Sequence, residues 1–139
     1  MSFHEKSNLA MTAIFVLAYG AYFLAVLPPA LAGEASITNV TPLLLGAVIF
    51  LVIAGVIAHI LIAAAAPKDA DAADERDRLI ETRAEARAGH VLGGFALLAI
   101  ALALVGQPVF WIAHAVLGGL VAAEIAKGVF RAVDYRRGV

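Results

Sequence analysis

The stretch PLLLGAVIFLVIAGVIAHILIAAAA, residues 42–66, decides the fold, because its 25 consecutive residues hold a single ionisable side chain, His59. Crossing roughly 30 Å of hydrocarbon at about 1.5 Å per residue takes about 20 apolar residues. No water is available there for the backbone, so such a stretch must close its own hydrogen bonds as a helix. Three further stretches share the pattern, at residues 8–31, 90–105 and 108–129. The third of these is short unless the charged residues before it continue the same helix.

Punctuation agrees with these limits. Pro28 and Pro29 sit near the end of the first span, Pro67 follows the second, and Pro42 and Pro108 each open a span. Proline suits a first helical turn, where its missing N–H costs nothing. Gly106, Gln107 and Pro108 leave room only for a tight turn, so spans three and four form an antiparallel hairpin. Spans one and two form the other, through a polar loop at residues 33–41. The reading is an all-α integral membrane four-helix bundle of two antiparallel hairpins, in one transmembrane domain over residues 1–139. The opening apolar run exceeds the roughly 7–15 residues of a signal-peptide core, so all four spans are expected to be retained.

Composition supports the class. Apolar residues make up 63% of the 139-residue chain, charged residues 15%, and the mean hydropathy is +0.92. A soluble domain could not cover that much apolar surface, which argues against a secreted enzyme, a nucleic-acid-binding domain and a disordered tail. With no cysteine, disulfides, thiol redox pairs, cysteine zinc sites and c-type haem attachment are excluded. Of the 21 charges, 12 fall between Lys68 and Arg87. Starting the chain in the cytoplasm places all ten basic residues on or near the inner side and leaves Glu34 as the only outer charge. The positive-inside asymmetry therefore predicts a multi-pass protein of the cytoplasmic (inner) membrane with both termini cytoplasmic. Trp111 and Tyr135 fit the two interfacial aromatic belts.

The charged stretch at residues 69–89 is expected to be helical, starting near Asp74 and running through His90 into the third span, so that the third helix extends into the cytoplasm. Asp71 or Asp74 would cap it, and Asp74 precedes Arg78 by four residues in the favourable acid-first order. Two uses present themselves. Asp74, Glu75 and Asp77 would pair with Arg131, Arg136 and Arg137 if the fourth helix emerges beside the third. Alternatively Asp74, Glu75, Arg76, Asp77 and Arg78 would offer an ordered row of charges to a cytoplasmic protein.

Ionisable groups inside hydrocarbon are costly and hence candidates for function. His59 lies 17 residues after Pro42, Glu124 lies 16 after Pro108, and His90 lies 16 before Gly106, so they share a depth with Thr12. Two imidazoles and a carboxylate at one level would suit a divalent metal, a b-type haem between the histidines, or a proton relay. Against this stands the plainer reading, with Glu124 paired to Lys127 one turn on and His90 at the headgroups. His114 and Tyr22, each six residues from the outer end of its span, are expected to share a hydrogen bond that satisfies two buried polar groups. Gly55, Gly93, Gly94, Gly118 and Gly119 are expected to let helices approach closely. No nucleophile or phosphate-loop motif occurs, so no catalytic residue is assigned.

The run Asp74-Glu75-Arg76-Asp77-Arg78-Leu79-Ile80 before the third span, followed by Arg83-Ala84-Glu85, resembles an uncharacterised family of small four-span prokaryotic membrane proteins marked by an Asp-Glu-Arg-Asp motif. Such families are often encoded beside a helix-turn-helix regulator. The resemblance implies a signalling or regulator-docking role and carries over no catalytic residue. The leading expectation is thus a non-catalytic membrane protein, embedded in lipid, that docks a cytoplasmic regulatory protein and touches no nucleic acid itself. The alternatives are a haem, metal or proton carrier or small transporter using His59, His90 and Glu124, and an accessory subunit of a larger membrane complex. Nothing in the sequence sets the cofactor, the metal or the oligomeric state.

Overall fold

The structure, a computed structural model, describes residues 3–34, 36–65 and 75–137. Among them are four helices and no strands: α1 (Phe3–Leu31), α2 (Ile37–Ala65), α3 (Glu75–Leu104) and α4 (Val109–Arg137). All four are long and apolar enough to cross a membrane. At 29 or 30 residues each, they reach about 44 Å and outrun the hydrocarbon layer. α3 is unbroken from Glu75 through His90 to Leu104, as the charge pattern predicts. Asp71 and Asp74, the expected caps, lie outside the described residues.

The start of α2 differs from the sequence expectation. α2 begins at Ile37, five residues ahead of Pro42, because Ser36 caps it: the Ser36 Oγ accepts from the Asn39 N–H at 3.3 Å and its carbonyl accepts from Val40 at 3.3 Å. Pro42 is then inside the helix rather than at its start. α1 ends at Leu31, as expected, with Pro28 and Pro29 inside its last turn, since proline loses a donor but keeps its acceptor. The carbonyls of both prolines, left open at the helix end, accept the capping bonds from Ala32 at 3.2 Å and from Glu34 at 2.9 Å.

Both hairpin turns close in one way. Gly33 and Gly106 sit at φ of +80° and +72°, a left-handed conformation that glycine adopts without steric cost. The N–H of each glycine returns to the carbonyl three residues back, Ala30 or Ala103, at 3.1 Å. The next N–H, of Glu34 or Gln107, reaches five residues back at 2.9 Å, completing a Schellman cap at each end.

The principal packings are α3 on α4, α1 on α2 and α1 on α4, so the helices follow the order α2, α1, α4, α3, with α1 and α4 central. Gly119 and Gly128 of α4 mark the closest crossings. A Cβ on Gly119 would stand 2.5 Å from Phe95 Cβ, and one on Gly128 would collide with the Thr12 hydroxyl. Gly55 and Gly118 also receive neighbouring side chains, whereas Gly93 and Gly94 have nothing within 4 Å. Toward the loop end the core gathers Tyr19, Tyr22, Val26, Val40 and Phe110. α2 turns Ile49, Val52, Ile53, Val56 and Ile57 outward, the arrangement of a helix solvated by lipid.

Candidate functional site

Where the apolar spans give out, α3 and α4 continue side by side and meet through polar contacts. The antiparallel register brings Asp77, Glu81 and Glu85 of α3 opposite Tyr135, Arg131 and Lys127 of α4, each set stepping by four residues. The Tyr135 hydroxyl donates to Asp77 Oδ1 at 2.8 Å. Arg131 Nη2 bonds Glu81 Oε1, and Lys127 Nζ lies 3.4 Å from Glu85 Oε1. The Arg76 guanidinium donates to the Tyr135 carbonyl at 3.2 Å. Burial, reinforced by the Asp77 acceptor and its negative charge, pushes the Tyr135 phenol, which lies beyond the apolar run of residues 108–129, well above its usual range. It therefore stays a neutral donor.

Arg87 completes the brace from deeper down. Its Nη1 donates to both carboxylate oxygens of the buried Asp134, at 3.0 and 3.2 Å, while the guanidinium carbon stands 5.5 Å from the Phe130 ring centre. In antiparallel helices each Cβ leans toward its own N-terminus, so Arg87 climbs and Asp134 descends to meet it. The long side chain carries its charge out of the apolar layer, as snorkelling arginines do.

The sequence expectation of pairing between these segments is met with other partners. Arg131 takes Glu81 in place of the motif acids, and Asp77 takes Tyr135. The reason is the register fixed by the tight turn at Gly106, which slides the contact one turn inward from the Asp-Glu-Arg-Asp motif. Asp74 lies outside the described residues. Glu75 and Arg78 are exposed, and Arg76 and Asp77 are drawn into the brace. Glu81 and Glu85 were legible as partners only through the four-residue period they share with Lys127 and Arg131, whereas Asp134, the partner of Arg87, carried no such signal.

The intramembrane layer is differently disposed. His90 is exposed on α3, its Nδ1 2.8 Å from the Ala86 carbonyl. Glu124 lies 3.6 Å from Lys127, the plainer of its two readings. His59 is exposed on α2 beside a groove shared with α1. Among the described residues no three His, Asp or Glu side chains stand close enough to hold a metal ion. Equal depth sets height and not direction, and the two histidines sit on the flanking helices of the row, which are not a packed pair. By contrast Tyr22 and His114 do meet, at 2.8 Å between the hydroxyl and Nε2, because their helices are the central neighbours.

Beside the brace, α1, α3 and α4 enclose a polar cleft of roughly 340 Å³. Asn8 and Thr12 of α1 face it, and Asn8 Nδ2 ties α1 to α4 through the Gly128 carbonyl at 2.9 Å. Arg78, Glu81, Glu124 and Arg131 line the same space. No protein-family model, no curated protein and no solved structure matches this chain.

Proposed function

We propose that this is a non-catalytic membrane protein whose braced α3–α4 end docks a cytoplasmic regulatory protein, with that end on the inner side of a cytoplasmic membrane. The supporting observation is the combination of brace and exposed flank. The side of α3 turned from α4 presents Glu75, Leu79, Thr82 and Arg83, all exposed, beyond the apolar part of the helix. Leu79 is an apolar side chain 44% exposed among charges, ahead of the apolar part of α3. A helix already held in place by its neighbour loses little further freedom on binding, which favours affinity. The positive-inside distribution supports that side.

The test is site-specific photo-crosslinking in native membranes, with the crosslinker at Leu79 or Arg83 and, as reference, at Ile53 on the lipid-facing side of α2. A discrete protein adduct from the α3 positions that disappears on Glu75→Arg supports docking. Lipid adducts alone from those positions, or protein adducts from Ile53 instead, count against it, the latter favouring an accessory subunit packed within the bilayer.

A further inference from the structure

The cleft between α1, α3 and α4 carries balanced charge: Arg78, Lys127 and Arg131 face Asp77, Glu81 and Glu124. Such a lining repels neither sign outright and suits a ligand that brings both. Its groups are unequally committed. Asp77 holds Tyr135 and Glu81 holds Arg131, whereas Glu124 is about half exposed and contacts Lys127 at the longer distance of 3.6 Å. Arg131 spends Nη2 on Glu81, and its Nε is buried with no hydrogen-bond partner among the described residues. A buried N–H left unmet is unfavourable, and since Arg131 lines the cleft an oxygen acceptor seated there would satisfy it.

The floor is apolar. Met11 and Phe15 close the cleft on the α1 side, and the same two residues line a groove of roughly 490 Å³ between α1 and α2, with Leu51, Gly55 and Val56. Gly55 makes the groove possible, since a Cβ there would stand 3.1 Å from the Met11 methyl. A charged seat thus adjoins an apolar slot across two shared side chains, at the level where the spans end. That is the outline of an amphiphile.

We propose that the cleft and groove seat one phospholipid whose headgroup carries a phosphate and a primary ammonium, the phosphate toward Arg131 and Arg78, the ammonium toward Glu124, and one acyl chain along α1 and α2. A primary ammonium donates three hydrogen bonds to carboxylates, whereas a trimethylammonium donates none. The site is independent of the docking flank, which lies on the other side of α3.

Native mass spectrometry of the full chain in detergent tests this, with dioleoyl phosphatidylethanolamine, phosphatidylcholine and phosphatidylglycerol as lipids and glycerophosphoethanolamine as the soluble headgroup. One phosphatidylethanolamine per chain is expected to be retained, about fivefold above either other lipid. Glu124→Gln should erase the preference over phosphatidylcholine, and Arg78→Gln should weaken all three lipids. Glu124 and Arg78 are exposed, so both variants keep the helix packing, checked by unchanged thermal unfolding. Equal retention of the three lipids, indifference to both variants, or binding of the soluble headgroup as tight as that of the lipid would overturn the proposal.

Discussion

The His114 ring shows how a single side chain can tie two helices together. Its Nδ1 lies 2.7 Å from the Phe110 carbonyl, which can only accept, so Nδ1 is the donor. In the tautomer protonated at Nδ1 alone, Nε2 accepts from the Tyr22 hydroxyl, 2.8 Å away. The imidazole also stacks on Phe110, with ring centres 4.0 Å apart. Tyr22→Phe should therefore lower stability in detergent by about 0.5–1.5 kcal/mol. His114→Ala should cost more, because it orphans the hydroxyl and removes the stack. Denaturant unfolding followed by circular dichroism reads both, and a null effect of His114→Ala would remove the pair from the account of α1–α4 association. This contact was legible in the sequence from two equal depths. The same reasoning applied to His59, His90 and Glu124 produces a shared level without a meeting, since depth along a helix carries no information about the direction of the side chain.

Among the elements, α4 organises the molecule because it packs against both α1 and α3. Its two crossings are made at glycine, Gly119 against Phe95 and Gly128 against Thr12. Adding a methyl at Gly128 forces α1 away, so Gly128→Ala should destabilise by about 1–3 kcal/mol, the usual cost of overpacking. Combining it with Thr12→Ala, which removes the hydroxyl nearest the new methyl, should recover part of that loss. A double-mutant cycle of thermal unfolding measures the coupling, and strict additivity would mean that the crossing is looser than the geometry implies. Gly128 lacks any signal of its own in the sequence: it follows Lys127 in a stretch that reads as the end of a span. The α3 extension, in contrast, is legible from its charge spacing, while its partners are not. Exposed ion pairs contribute only about 0–1 kcal/mol each, so the brace serves mainly to hold α3 in one register.

For the whole molecule, the charge distribution predicts that the α1–α2 loop faces outward and the braced end inward. The chain has no cysteine, so single-cysteine variants report this directly. Glu34→Cys should react with a membrane-impermeant maleimide in intact cells, and Thr82→Cys and Arg136→Cys only after lysis. The opposite labelling would invert the orientation and move the docking flank out of the cytoplasm. Number of spans, hairpin connectivity and the continuous third helix follow from the sequence by itself, because hydrocarbon forces the backbone to satisfy itself locally and hydropathy is a one-dimensional record of that demand. The order α2, α1, α4, α3, the inward slip of the charge ladder, and the cleft against Asn8 and Thr12 were decided only in the tertiary structure. They depend on which face each helix turns to its neighbour, and in lipid that is settled by where two backbones can come close, as at Gly119 and Gly128, rather than by any apolar stripe along one helix.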